Sequence, residues 1–199
     1  MRIKPTHLSF LKRASVIGIM TLMVAGCASY KPSNTTNLCS IFQGSNSWYK
    51  DAKASNKRWG TPIPVMMAIM QQESNFKDDA RPGYKYFLGI IPTGRISSAY
   101  GYSQAQDGTW SDYKKSTRRW RASRSDIYDA LDFIGWYNHQ SHKRLKISHK
   151  DTYKLYLAYH EGQGGYSRQT YLKKPWLLKV AKKVSNRSRK YQKQYHRCS

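Results

Sequence analysis

The spacing of apolar residues across residues 63–73 constrains the fold most strongly, because it is the spacing of an α-helix. Ile63, Met66 and Met70 fall on one face of such a helix, and Glu73 continues that face at its end. The pattern predicts a helix whose buried face ends in a carboxyl group.

Glu73 and Glu161 are the only two glutamates in the chain. A carboxylate on an apolar face is costly to bury, so Glu73 either finds partners or holds its proton more tightly. A carboxylic acid that stays protonated near neutral pH can act as a general acid, as glycoside cleavage requires. The alternative is an exposed Glu73 that forms an ordinary i,i+4 ion pair with Lys77.

Further segments carry the same helical spacing, so the chain is predicted to be all-α. They are residues 47–59 before Gly60, the Glu73 helix with Thr61 as N-cap and Pro62 at its first position, residues 126–143, residues 151–161 before Gly162, and a last helix from Pro175. The pattern breaks over residues 78–100, and a loop of that length is usually functional or disordered.

The first 26 residues have the features of an export signal: a basic start, an apolar stretch over residues 14–24 and small residues at 25–26. Residues 24–27 (VAGC) resemble the lipobox of bacterial lipoproteins, in which the cysteine, here Cys27, carries lipid. The alternative is an ordinary secretory signal with an incidental cysteine. We expect a signal at 1–26, a polar tether at 27–38 and a folded domain at 39–199. In a Gram-negative cell, Ala28 favours the outer membrane, facing the periplasm.

The chain has three cysteines. If Cys27 carries lipid, Cys39 and Cys198 remain to form one disulfide in an oxidising periplasm. That bond would join the two ends of the mature domain. The alternative is a pair of free thiols near the termini.

Four of the basic residues and no acidic residue lie in the signal, so the formal charge falls from +24 to +20 when the signal is removed. So basic a protein attracts polyanions such as nucleic acid, anionic membrane or peptidoglycan. The export signal and the lack of a recognition motif argue against nucleic acid. Clusters such as residues 118–121 (RRWR) are alternatively only a solvated face.

Three short motifs carry a resemblance to a known family. Residues 66–76 (MMAIMQQESNF), 101–105 (GYSQA) and 158–162 (AYHEG) resemble, in order and spacing, the Glu-Ser, Gly-Leu-Met-Gln and Ala-Tyr-Asn-Ala-Gly motifs of lytic transglycosylases related to goose-type lysozyme. The match covers roughly residues 59–165. It implies a lysozyme-like single domain that acts on peptidoglycan glycan strands.

The resemblance also implies residue roles. Glu73 corresponds to the single catalytic acid and base, which cleaves the bond between N-acetylmuramic acid and N-acetylglucosamine and leaves a 1,6-anhydro end. Ser74 and Gln104 correspond to substrate contacts, and Tyr159 to the tyrosine whose hydroxyl contacts the catalytic carboxyl. His160 replaces the family's asparagine and would donate a hydrogen bond to substrate; the alternative is a histidine at the edge of the cleft without substrate contact. No cofactor is implied. The histidines at 139, 142 and 149 do not have the spacing of a metal motif.

Two departures from the family pattern affect the cleft. Ser103 stands in place of methionine, and His160-Glu161 in place of Asn-Ala. A Glu161 that faced the cleft would activate water and give hydrolysis, but at the end of a helix we expect it to be solvated. The alternatives to a lytic transglycosylase are therefore a goose-type-lysozyme-like hydrolase and a wall-binding lipoprotein without turnover.

Overall fold

The computed structural model describes residues 30–198, which form seven α-helices and a two-stranded sheet. The elements in chain order are α1 (Leu38–Gln43), α2 (Asn46–Trp59), α3 (Ile63–Ser74), β1 (Tyr84–Phe87), β2 (Ile91–Arg95), α4 (Asp107–Thr117), α5 (Ile127–Leu145), α6 (Thr152–Ser167), a 3₁₀ helix (Thr170–Lys173) and α7 (Pro175–Cys198). The all-α prediction is confirmed. The predicted signal and Cys27 lie outside the described residues.

The predicted helix ends are close to the observed ones where a capping residue ends or starts the helix. Gly60 ends α2 in the left-handed conformation at φ 76°, a position that suits glycine. Asp126 caps α5 by accepting a hydrogen bond from the backbone N–H of Asp129 at 2.9 Å. The predicted Thr61 cap is wrong: Pro62 is the N-cap residue of α3, and the Thr61 hydroxyl is buried without a hydrogen-bond partner.

The helix α3 lies in the centre of the core, in contact with α2, α5 and α7. Every residue from Ile63 to Met70 is buried, not only those on one face. The apolar face predicted from the sequence therefore belongs to a helix that is enclosed on all sides over these residues. The alternative of an ion pair between Glu73 and Lys77 is not found among the described residues, because α3 ends at Ser74 and Lys77 lies beyond it in an exposed position.

A buried carboxylate, Asp132, ties α2, α4 and α5 together. It accepts hydrogen bonds from the indole N–H of Trp59 at 2.7 Å and the hydroxyl of Tyr113 at 2.8 Å. Arg58 and Arg119 contribute ion pairs at 3.2 and 3.9 Å. Because its charge is compensated by these donors, Asp132 can stay buried. Arg119 is therefore part of this network and not of a purely solvated basic face.

Residues 78–100, predicted as a loop, contain an antiparallel β-hairpin. Tyr84 pairs with Arg95 and Phe87 with Ile91, with an irregularity in register between Lys85 and Tyr86. Both strands are exposed on both faces. Sequence spacing missed these strands because neither face is buried, so no alternation of polar and apolar residues marks them.

The two ends of the described chain are joined. Cys39 and Cys198 form the predicted disulfide, with Cα atoms 5.5 Å apart. Part of the predicted tether is packed on the domain, since the Tyr30 hydroxyl donates to the Ile41 carbonyl at 3.2 Å and the Tyr191 hydroxyl to the Thr35 carbonyl. In the part of the chain that the structure describes, no helix combines the length and apolar character needed to cross a membrane.

Candidate active site

Glu73 lies in the last turn of α3, where the backbone turns sharply. The next residues, Asn75 and Phe76, both have positive φ, at 50° and 60°. This conformation is unfavourable for phenylalanine, but it ends the helix and places the Phe76 ring in the core, 5.8 Å from the ring of Trp48. Glu73 is thereby held at the boundary between the core and the segment that follows.

Burial raises the pKa of the Glu73 carboxyl from its ordinary value of 4.5 to about 7. A hydrogen bond with the Tyr156 side chain acts in the opposite direction and lowers the pKa by stabilising the ionised form. Part of the residue surface remains accessible, so the carboxyl is desolvated but not sealed off. At neutral pH a substantial fraction of Glu73 is therefore protonated, as a general acid requires.

Tyr159 is close to Glu73 but its hydroxyl is directed elsewhere. The hydroxyl donates to the backbone carbonyl of Ser103 at 2.6 Å. Burial and the charge of Glu73 both raise the pKa of Tyr159. The expectation that Tyr159 contacts the carboxyl is corrected in this respect: Tyr156, one helical turn earlier on α6, is the tyrosine that hydrogen-bonds to Glu73.

Gln104 fixes the segment that faces α6. Its φ is 50°, and its side-chain amide donates to the carbonyls of Ala80 at 2.8 Å and Gly101 at 2.9 Å. Because both bonds use the amide nitrogen, contact with a substrate would fall to the carbonyl oxygen of Gln104.

Ser74 is buried, and its hydroxyl donates to the Met70 carbonyl one turn back at 3.2 Å. This bond lies within α3. The structure thus places Ser74 beside Glu73, as expected, with its hydroxyl directed into the helix.

Glu161 is not solvated, contrary to expectation, since its side chain is only 3% exposed. It accepts hydrogen bonds from Lys174 at 2.8 Å and from the Thr170 hydroxyl, and lies 3.1 Å from the His160 ring. Burial alone would raise its pKa, but these hydrogen bonds outweigh burial and lower the pKa to about 2. The physical reason for the burial is Gly162, which interrupts α6 at φ 74° and ψ 158°, so that the following chain folds over Glu161.

A cavity of about 200 Å³ lies between the motif segments. Its walls come from the 101–105 segment, the start of α4, and the middle of α5 and α6; they include Gln104, Thr109, Phe133, Tyr137, Tyr159, His160 and Glu161. Glu73 is not part of this wall and adjoins it through Tyr159. The structure therefore brings together Gln104, Tyr159 and His160 around one cavity, with Glu73 and Ser74 next to it.

Tyr156 is the residue of the site that sequence reasoning missed. The signal was present, because Tyr156 and Tyr159 are three residues apart and so lie on the same face of α6.

Two histidines outside the candidate site, His142 and His149, stack with their ring centroids 4.1 Å apart. Within residues 30–198, no group of three or more His, Cys, Asp or Glu side chains is placed to hold a metal ion.

The comparisons with known proteins agree with the geometry. A family model described as "Transglycosylase SLT domain" matches residues 15–198. The matched range starts inside the predicted signal and includes the whole described segment. No match was found among curated proteins or among solved structures.

Proposed function

The chain belongs to the transglycosylase SLT domain family, whose lysozyme-like fold it has, and we propose that it is a peptidoglycan lytic transglycosylase with Glu73 as its only acid and base. The reaction would cleave the β-1,4 bond between N-acetylmuramic acid and N-acetylglucosamine without water. The observation that carries the proposal is the buried Glu73 carboxyl, whose pKa is raised to about 7 and which adjoins, through Tyr159, the cavity lined by the 101–105 and 158–162 motifs.

In the first step, the Glu73 carboxyl donates its proton to the glycosidic oxygen while the bond from that oxygen to C1 of the muramic acid breaks. The N-acetylglucosamine leaves with a free hydroxyl, and the substrate's own N-acetyl group assists at C1, as the family resemblance implies. Tyr156 stabilises the carboxylate that Glu73 becomes, because its side chain hydrogen-bonds to the ionised form.

In the second step, the Glu73 carboxylate accepts the proton of the C6 hydroxyl while O6 bonds to C1 of the same sugar and displaces the N-acetyl oxygen from C1. The product ends in 1,6-anhydro-muramic acid, and Glu73 is protonated again. No water is consumed, and no second carboxylate takes part.

The main alternative, a hydrolase of the same fold, needs a base to activate water. Glu161 is the other glutamate at the cavity, but its pKa of about 2 and its bonds to Lys174 and Thr170 make it a poor base at neutral pH. A wall-binding protein without turnover has no need of a carboxyl at Glu73, whereas a buried carboxyl with a pKa raised to about 7 suits proton transfer.

We further propose that the protein acts in the periplasm as an outer-membrane lipoprotein anchored through Cys27. This rests on the lipobox-like sequence and on the periplasmic location of peptidoglycan in Gram-negative cells. The high basic charge would hold the enzyme on the acidic cell wall.

The test of the catalytic assignment is a pair of matched substitutions assayed on purified sacculi. Glu73→Gln should abolish release of soluble fragments while leaving sacculus binding and the far-UV circular dichroism spectrum unchanged. Glu161→Gln makes the same chemical change at the other carboxyl and should retain cleavage. Cleavage by Glu73→Gln, or its loss in a folded Glu161→Gln, would refute the assignment.

A further inference from the structure

The β1–β2 hairpin exposes an unusual concentration of apolar side chains. Leu88 and Ile90 at its tip are each 77% exposed. The other large apolar side chains of the segment are also exposed, namely Tyr84, Tyr86, Phe87, Ile91 and Ile96. A cluster of exposed apolar side chains of this kind indicates an interaction site. A two-stranded hairpin without cover is also only marginally stable in water.

The backbone conformation of the turn at the tip also supports an interaction site. Leu88 and Gly89 both have positive φ, at 51° and 75°, as the two central residues of a type I′ turn do, where asparagine and glycine are preferred. Leucine is strained in that conformation. The most exposed point of the hairpin thus carries an apolar side chain that the turn itself disfavours.

We infer that this hairpin inserts its tip into the surface of a phospholipid bilayer. The first reason is that both faces of the ribbon are apolar. Neighbouring residues of a strand point to opposite faces, yet Tyr86 and Phe87 are both more than half exposed, at 55% and 59%. A protein or glycan surface would cover one face of the ribbon, whereas lipid surrounds both.

The second reason is the order of residue types along the hairpin. The tip is aliphatic, while Tyr84, Lys85 and Arg95 lie at the base, where the Arg95 guanidinium stacks on the Tyr84 ring at 4.5 Å. Tyrosine and basic residues are the side chains that favour the membrane–water interface. No acidic residue occurs from residue 80 to residue 106, so the base complements anionic headgroups.

The third reason is that the hairpin is held firmly at its root and lies near the start of the described chain. The N–H of Ile96 donates to the Gly83 carbonyl at 2.9 Å, closing the ribbon. The ring of Tyr30 contacts Trp48, which in turn contacts Phe76 and Tyr102 on either side of the hairpin segment.

Cys27 is three residues before Tyr30, a reach of about 10 Å at most. A lipid on Cys27, as proposed above, would hold the Tyr30 end of the domain close to a bilayer, and we take this bilayer as the one into which the hairpin tip would insert. Two attachment points would restrict rotation of the domain and fix the cavity relative to the membrane, because Gln104 is bonded to Ala80 at the root of the hairpin segment. The inference does not require the lipid, and it is independent of the catalytic assignment.

The test is vesicle binding by the segment 28–199, which contains every core residue that the structure describes and the disulfide, and which carries no lipid. Vesicles of phosphatidylethanolamine with a minor share of phosphatidylglycerol are the probe, and bound protein is measured by co-sedimentation. Leu88→Ser/Ile90→Ser should reduce the partition coefficient by about tenfold or more, because two apolar side chains lose their burial. The matched control is Leu172→Ser, which removes a 57% exposed leucine on the 3₁₀ helix and should change binding less than about twofold.

A second measurement keeps the inference testable if the double substitution lowers solubility or stability. Leu88→Trp preserves apolar character, so it should bind vesicles as the unsubstituted segment does, with added fluorescence that brominated lipids quench. Equal binding by the double substitution and the control would overturn the inference. So would binding that about 0.5 M salt abolishes, since that would assign it to the basic surface. A concentration-dependent dimer that the double substitution dissociates, without a change in vesicle binding, would assign the hairpin to a second copy instead.

Discussion

At the scale of single residues, burial acts on two glutamates with opposite outcomes. Burial raises the pKa of Glu73 to about 7, with only Tyr156 opposing the rise. Glu161 is also buried, but hydrogen bonds from Lys174, Thr170 and His160 outweigh burial and lower its pKa to about 2. A substantial fraction of Glu73 is therefore protonated at neutral pH, whereas Glu161 is ionised, and this separation assigns their roles.

The first prediction concerns stability and does not depend on an activity assay. A carboxyl whose pKa is raised on folding stabilises the protein at low pH and loses that stabilisation as pH rises through its folded pKa, here about 7. Glu73→Gln removes the buried charge, so it should raise the free energy of unfolding at pH 8 by about 3 kcal/mol. The gain should fall to under about 1 kcal/mol at pH 5 and vanish below the unfolded pKa of 4.5, as urea titrations at pH 8 and pH 5 would show. A substitution that destabilises equally at both would mean that Glu73 is not desolvated.

The second prediction concerns Tyr156. Tyr156→Phe removes the hydrogen bond that lowers the Glu73 pKa, so that pKa should rise further. A general acid must be protonated, so the fall of kcat/KM with increasing pH should move to higher pH, and kcat should drop about tenfold because the carboxylate loses stabilisation. Tyr153→Phe, on the same helix, is the control. An unshifted pH profile would separate Tyr156 from catalysis.

At the scale of elements, α6 supplies most of the site and is shaped by one glycine. Tyr156, Tyr159 and His160 come from its regular part, and Gly162 then interrupts the helix at φ 74° and ψ 158°. This conformation is nearly restricted to glycine. The interruption turns the chain back so that Thr170 and Lys174 reach Glu161.

The third prediction is therefore a contrast between two glycines with free space around them. Gly162→Ala meets no steric obstacle, yet it should lower the free energy of unfolding by about 1–3 kcal/mol through backbone strain and reduce activity. Gly108→Ala lies in α4 with equally open space and no positive φ, and should stabilise by up to about 1 kcal/mol. Chemical denaturation of both variants checks the pair; similar effects at both sites would contradict the role given to the Gly162 conformation.

The site and the elements differ in how far the sequence predicts them. Glu73, Gln104, Tyr159 and His160 were predictable as neighbours of one site because short motifs mark them and helical spacing places their segments. The contacts were not: Tyr156 replaces Tyr159 at the carboxyl, and Glu161 is buried through a partner thirteen residues away. Spacing describes one element at a time, whereas these contacts depend on how the chain returns after Gly162.

The elements show the same limit. Helices with an apolar period and a capping residue, such as α2 and α5, were predicted within two residues of their ends. The short helix α1, the polar helix α4 and the β-hairpin were missed. The hairpin lacks alternation because it buries neither face, and α4 buries only Trp110 and Tyr113.

At the scale of the whole molecule, one core is closed by a bond between its ends. The Cys39–Cys198 disulfide spans a sequence separation of 159 residues and joins α1 to the end of α7. A cross-link between residues so far apart restricts the unfolded chain strongly, which stabilises the native state by about 5 kcal/mol on the entropy model.

The fourth prediction follows from that bond. Reduction, or the double substitution Cys39→Ala/Cys198→Ala, should lower the melting temperature by on the order of 10 °C. The comparison is made by calorimetry of the oxidised and reduced protein, with the double substitution under reducing agent as the control that should show no further change. An unchanged transition on reduction would mean that the bond does not contribute to stability.

The most direct test of the central claim is the mass of the products released from sacculi by the segment 28–199. A lytic transglycosylase with Glu73 as sole acid and base should give only fragments that end in 1,6-anhydro-muramic acid, lighter by one water than hydrolysed fragments. Glu161→Gln should give the same products and Glu73→Gln none. Reducing-end products, each heavier by one water, would contradict the account and make the protein a hydrolase.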